Sequence, residues 1–212
     1  MSARQPAASA GPPWTVGILV FDDVEVLDFC GPFEVFAAAG RPAGPDTADG
    51  PFRVSLIAER PGSVRCRGGL RALPDYTLAD HPPLDILVVP GGWGTRREVD
   101  NAPLLDWIAA VDRTTILTLS VCTGAFLLAA RDLLDGRPAT THWASVDRLR
   151  ATHPGVDVRA GARFVDSGHI VTSAGVSAGV DAALYVVARL LGPDVAHETA
   201  RRMEYESTAW RE

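Results

Sequence analysis

The sequence predicts one α/β domain, a three-layer αβα sandwich around a mostly parallel sheet. Five short apolar runs, at 15–21, 52–58, 85–89, 115–121 and 170–173, alternate with segments of helical periodicity. That alternation is the pattern of strands covered on both faces by crossover helices. A chain of 212 residues with 47% hydrophobic content also carries enough apolar material for one full core.

Taken in order, the strand at 15–21 leads to a helix at 33–39, just after Gly31-Pro32. The stretch 40–50, GRPAGPDTADG, reads as a mobile surface loop and not as a domain boundary, because strand 52–58 still needs the first strand beside it. A hairpin is expected at 65–73, followed by the strand at 85–89. Asn101, ahead of Ala102 and Pro103, reads as the N-cap of a helix over 103–112. The strand at 115–121 passes straight into a helix at 124–130, and another helix is expected at 145–150. Around Asp166-Ser167-Gly168-His169, the apolar flanks and the Ser-Gly pair predict a hairpin. Helices at 179–191 and 194–203 complete the domain, which is expected to span 14–205 between a disordered N-terminal tail, 1–13, and a C-terminal tail, 206–212.

Composition narrows the function. A formal net charge of -6 without a basic run argues against nucleic acid as a partner. The first 13 residues lack the apolar stretch of a signal peptide, and no window approaches the roughly 18 apolar residues of a membrane helix. A cytoplasmic protein with no membrane contact is the expectation. Three cysteines, Cys30, Cys66 and Cys122, form no dense framework, which suits free thiols in a reducing compartment. All 20 cationic residues are Arg, so a Walker A loop, a pyridoxal Schiff base and a lysine nucleophile are excluded. No HxH, HExxH or CxxC occurs, and no metal site is expected.

The segment Ile116-Leu117-Thr118-Leu119-Ser120-Val121-Cys122-Thr123-Gly124-Ala125-Phe126 carries the strongest chemical signal. An apolar strand meets small-x-Cys-x-Gly and then an apolar helix, the nucleophile-elbow arrangement with Cys in place of Ser. The adjoining helix N-terminus is expected to favour thiolate. Cys30 and Cys66 lack that context and read as inert. Val89-Pro90-Gly91-Gly92-Trp93-Gly94 ends a second strand in glycines, near the carboxyl edge where open α/β sheets bind ligands. The N–H groups of Gly92 and Thr123 are therefore expected to face Cys122 and stabilise developing negative charge. A dinucleotide loop is the rival, but GGWG lacks the GxGxxG spacing and no helical pattern opens from it.

Asp28, in Val26-Leu27-Asp28-Phe29-Cys30-Gly31-Pro32, is a carboxylate among apolar neighbours. Burial would raise its pKa and suit it to proton transfer, while a helix cap is the structural alternative. His142, in Ala139-Thr140-Thr141-His142-Trp143, is either a base or a structural histidine.

These segments together resemble the ThiJ/PfpI superfamily, which shares the flavodoxin-like fold of class I glutamine amidotransferases. The resemblance spans roughly 14–205, and LDFCGP, VPGG, SVCTG, LLDGRPATTHW and SAGVDAAL look most like its isonitrile hydratase branch. It implies Cys122 as nucleophile, Thr123 as its hydroxyl neighbour and Asp28 as acid/base, with Gly91, Trp93 and His142 lining or supporting the pocket. The implied reaction is hydration of a small-molecule isonitrile to an N-substituted formamide, in a homodimer, with no cofactor. Thr123 stands where peptidase-like members carry His, and the His-x-Glu pair of amidotransferases is not evident. Cys30, Trp93 and the 40–50 loop depart from the family pattern.

The same kind of domain also resembles the ligand-sensing half of AraC-type regulators. The chain stops at Glu212, short of the roughly 60 to 100 residues a helix-turn-helix module needs, so a stand-alone ligand- or redox-sensing domain is the alternative expectation, beside another hydrolase of the ThiJ/PfpI type.

Overall fold

A computed structural model describes residues 11–41 and 50–211. The chain runs β1 (Trp14–Leu19), α1 (Val26–Ala38), β2 (Phe52–Ala58), β3 (Val64–Arg65), β4 (Arg71–Ala72), β5 (Tyr76–Thr77) and β6 (Ile86–Val89). It continues with α2 (Thr95–Glu98), α3 (Ala102–Asp112), β7 (Leu117–Val121), α4 (Gly124–Ala129), β8 (Pro138–Ala139), α5 (Val146–Thr152) and β9 (Asp157–Val158). Strands β10 (Phe164–Asp166) and β11 (Ile170–Ser173) and helices α6 (Ala178–Leu191) and α7 (Pro193–Arg202) follow.

The central sheet has the order β10-β11-β7-β6-β1-β2-β5, and every pairing is parallel except β10 with β11. Helices α1, α6 and α7 pack together on one face, and α2, α3 and α4 on the other, giving the predicted three layers. Strands β6 and β7 are buried along their whole length, β6 as an unbroken apolar run and β7 with Thr118 and Ser120 enclosed between Leu117, Leu119 and Val121. The four residues Ile86, Leu87, Val88 and Val89 have no exposed surface, and each such side chain stabilises the core by about 1.5–3 kcal/mol. Asn101 caps α3 as read, its side chain accepting from Leu104 N–H at 3.4 Å. The β10–β11 hairpin also forms, with Gly168 supplying positive φ at 92°.

Several expectations need correction. Helix α1 begins at Val26 rather than Phe33, so Pro32 lies inside it. An interior Pro costs the Asp28 carbonyl its N–H partner, but the helix start is pinned from outside: Glu25 N–H donates to Gly91 C=O at 3.0 Å and Val24 bridges Gly92. A helix does open from GGWG, the single turn α2 with Gly94 at its N-cap. The 65–73 hairpin, by contrast, forms as expected, as the β3–β4 pair linked by a 3-10 turn at Arg67–Gly69. Within 206–212, Ala209–Arg211 forms another 3-10 turn and buries Trp210 at 3% exposure, so packed structure extends beyond 205. The tail residues 1–10 and loop residues 42–49 lie outside the described residues.

Because β1, β6, β7 and β11 are parallel neighbours, the segments leaving their carboxyl ends converge. Those segments carry Asp28, Gly91 with Gly92, Cys122 and Val176.

Candidate active site

Cys122 sits between β7 and α4 with φ 58°, the left-handed region that a non-glycine residue enters only under constraint. The elbow is built by close approach. A Cβ on Gly124 would lie 2.1 Å from the Val89 carbonyl oxygen, and one on Gly91 would lie 2.5 Å from Thr123 N and 2.9 Å from Cys122 Cβ. Cys122 N–H donates to Ser173 C=O at 3.1 Å, and its own carbonyl accepts from the Thr141 hydroxyl at 2.7 Å.

Asp28 lies in the first turn of α1 and is fully buried. It is not a cap; Glu25 occupies that position. Its two carboxyl oxygens are divided between the sheet-edge segments: Oδ2 accepts Gly91 N–H at 3.0 Å and Oδ1 accepts Val176 N–H at 3.1 Å. The Cys122 thiol lies against the same carboxyl and interacts with it, while the two well-aligned donors remain the backbone amides.

The electrostatics differ from the sequence expectation. Burial raises Asp28 to about 7, against the lowering pull of Cys122, Gly91 N–H and Val176 N–H. Burial is also the largest effect on Cys122 and pushes its thiol up, with the Asp28 charge adding in the same direction. Contacts from Thr123 N–H and hydroxyl favour thiolate but do not prevail. At rest Cys122 is therefore a thiol, not the thiolate expected beside a helix N-terminus, and α4 is a short dipole of 6 residues.

Thr123 is held where the sequence placed it, but Gly92 serves a different purpose. Gly92 N–H donates to Thr123 Oγ1 at 3.0 Å and so does not face the sulfur. Buried Thr95 donates to the same oxygen at 3.0 Å, and Thr123 Oγ1 donates on to Gly92 C=O at 3.2 Å. Thr123 N–H is the backbone donor left to the sulfur.

His142 caps the 3-10 turn Trp143–Ser145, accepting from Ala144 N–H at 3.3 Å, and its ring packs beside Gly175. Its neighbour Thr141 makes the elbow contact. Trp93 is 59% exposed and carries Arg96 over its ring at 3.7 Å, outside the buried cluster. Cys66 is buried, Cys30 is half-buried, and burial pushes both thiols up. Sequence reading missed Thr95, Thr141 and Val176. Among the described residues, no group of three or more His, Cys, Asp or Glu side chains is placed to hold a metal ion. No helix among them is long and apolar enough to cross a membrane.

A parallel α/β sandwich with a strained cysteine at the strand-to-helix turn and a carboxyl beside it defines a class of cysteine-elbow domains. The chain belongs to the DJ-1/PfpI family, whose model matches residues 15–189. It is 35% identical to isonitrile hydratase of Pseudomonas putida, over 90% of this chain and 78% of that protein. It is 30% identical to the HTH-type transcriptional regulator CdhR of Pseudomonas aeruginosa over 71% of this chain, spanning 44% of the regulator's length. Among solved structures, a ThiJ/PfpI family protein from Pseudomonas syringae superposes with a TM-score of 0.80 at 29% identity, covering 98% of this chain and 82% of that one.

Proposed function

We propose that this protein is a lyase that hydrates an isonitrile, R–N≡C, to an N-substituted formamide, with Cys122 as nucleophile and Asp28 as acid/base. One observation carries the reading: a buried thiol and a buried carboxyl raised to about 7 face each other, with no histidine acting on either. Such a pair moves one proton back and forth near neutral pH, which is what hydration of an isonitrile requires. Cys122 is only 6% exposed, which suits a slim terminal carbon more than a branched carbonyl. The likeness to isonitrile hydratase supports the same assignment.

The Asp28 carboxylate takes the thiol proton as sulfur bonds to the terminal carbon. The carboxyl then delivers that proton to the same carbon, leaving the thioimidate R–N=CH–S–Cys122. Water adds across C=N, its oxygen to carbon and its proton, through Asp28, to nitrogen. The C–S bond breaks, the remaining hydroxyl proton returns to the thiol through Asp28, and R–NH–CHO leaves. No oxidant, metal or organic cofactor enters the balance. Because Thr123 Oγ1 is engaged by Gly92 and Thr95, Asp28 is the group that orients the water, while Thr123 N–H steadies charge on sulfur.

The test is turnover of a small isonitrile panel, read as formamide by mass spectrometry, with Cys122→Ala as control. No formamide above that control from any isonitrile would overturn the reading. The same reading takes the protein as a cytoplasmic homodimer, and light scattering of the purified chain checks the assembly.

The regulator likeness favours a second reading, a ligand-sensing domain. The chain spans 44% of the length of the regulator CdhR, and reversible binding at Cys122 without turnover is the signature of that reading.

A further inference from the structure

Val176 has φ 56°, a conformation that a β-branched residue holds only when its surroundings over-determine it. The turn 174–177 that carries it is tied down on both sides. Arg163 C=O accepts Ala174 N–H at 3.0 Å, and the Arg163 guanidinium donates to Ser177 Oγ at 3.1 Å. The same guanidinium donates through Nε to Asp181 Oδ2 at 2.5 Å. Tyr205 hydroxyl lies 3.2 Å from that carboxylate oxygen and 3.3 Å from Ser177 C=O. Asp181 is fully buried, yet its Oδ1 has no hydrogen-bond partner among the described residues. The donors around it converge on one oxygen and on the turn, so the cluster is arranged for the turn and not for the carboxylate's own satisfaction.

We propose that the Arg163–Asp181 pair, with Tyr205, is the positioning device of the site, holding turn 174–177 so that Val176 N–H stays on Asp28 Oδ1. Arg163 touches neither Asp28 nor Cys122. It acts through the turn, and the inference rests on Asp28 being the proton carrier of the proposed reaction.

The groups acting on Asp28 are Cys122 at the elbow, the amides of Gly91 and Val176, and Glu25 at the start of α1, itself paired with Arg67 beside β3 at 3.2 Å. Arg163 and Asp181 stand behind the turn. Of these, Val176 N–H stabilises the ionised carboxyl, so its loss raises the pH at which Asp28 becomes a base.

The experiment follows Cys122 alkylation by iodoacetamide against pH, together with isonitrile turnover, in the parent and in Arg163→Met. A lost hydrogen bond to a charged group moves the inflection up by roughly one pH unit, which is about a tenfold loss of rate on the acid side. The plateau at high pH should stay within about threefold, as expected when a proton equilibrium alone has moved. Arg163→Lys, able to pair with Asp181 but without the second arm for Ser177, should recover part of the shift. Tyr205→Phe removes one hydroxyl and carries the same test should Arg163→Met not fold. An unchanged inflection in these variants, whatever their melting temperatures, overturns the positioning role. Failure of the parent to hydrate any isonitrile sinks the hydratase reading alone, because the alkylation profile is read without substrate.

Discussion

The hydroxyl of Thr141 donates to the carbonyl of Cys122 at 2.7 Å and so fastens the one peptide of the elbow that belongs to neither β7 nor α4. The carbonyl is buried, and leaving it unpaired costs about 1–3 kcal/mol. Thr141→Val, which keeps the shape and removes the donor, is expected to lower the melting temperature by about 2–8 °C and turnover by roughly tenfold. His142→Asn keeps a side chain able to cap the next turn and should stay within about twofold of the parent. Calorimetry and formamide assays on the two variants decide whether the THW segment acts through Thr141 or through His142.

That contrast shows what a sequence makes legible. Small-x-Cys-x-Gly after an apolar run is a local pattern, and it placed Cys122 at a strained turn that the φ of 58° bears out. Asn101 was equally readable, since capping chemistry is contained within a few residues. Asp28 could be singled out as a carboxyl in apolar company, but its meeting with Gly91, Cys122 and Val176 follows from strand order, which no short window contains. Thr95 and Val176 carried no signal at all, because a Thr in a one-turn helix and a Val at positive φ contradict their own local preferences. The start of α1 was misplaced because Pro32 reads as a helix opening, whereas here tertiary contacts to Gly91 and Gly92 hold the preceding turns.

Alkylation should distinguish the three thiols by their response to Asp28. With Asp28 raised to about 7 and the Cys122 thiol pushed up, the pair loses its first proton near neutral pH and sulfur reacts with the carboxylate's help. The rate of Cys122 labelling by iodoacetamide is expected to rise through an inflection near 7 and to lose it in Asp28→Asn. Half-buried Cys30 should label at the same rate in both proteins. Peptide mass spectrometry at a series of pH values makes the comparison, and a Cys122 profile indifferent to Asp28 would be evidence against the coupled pair.

Gly91 is a position where a single added methyl group reaches the elbow and the Asp28 carboxyl together. A Cβ there falls 2.5 Å from Thr123 N and 2.6 Å from Thr123 Oγ1, both part of the elbow rather than the free end of a flexible chain. The peptide that must move also donates to Asp28 at 3.0 Å. Gly91→Ala is expected to cut turnover by about a hundredfold or more, the scale of losing a preorganised donor, while Gly161→Ala, whose added methyl meets nothing within 4 Å and adds only local backbone strain at φ 79°, should at most lower the melting temperature and leave turnover of the folded protein unchanged.

Asp28→Asn tests the proton carrier and the energetics of its burial together. Asn cannot exchange a proton, so turnover should fall by roughly two to four orders of magnitude. Its stability effect depends on pH. The native carboxyl accepts Gly91 N–H on one oxygen and Val176 N–H on the other, and an amide offers one acceptor, so one donor is left facing an NH2 group. That is a loss at every pH. The parent, however, has its own penalty: with a folded pKa raised from 3.8 to about 7, Asp28 binds its proton more tightly when folded. The stability this contributes is fully present below the unfolded pKa and is lost as pH rises through the folded one. Asn contributes no such term, so the melting temperature of Asp28→Asn relative to the parent should be lowest near pH 4 and climb steadily towards pH 8. Scanning calorimetry of both proteins across that window measures the difference. A flat difference would mean that Asp28 titrates alike in the folded and unfolded chains, and the carboxyl would then be an ordinary ionised acid with no proton to lend at neutral pH.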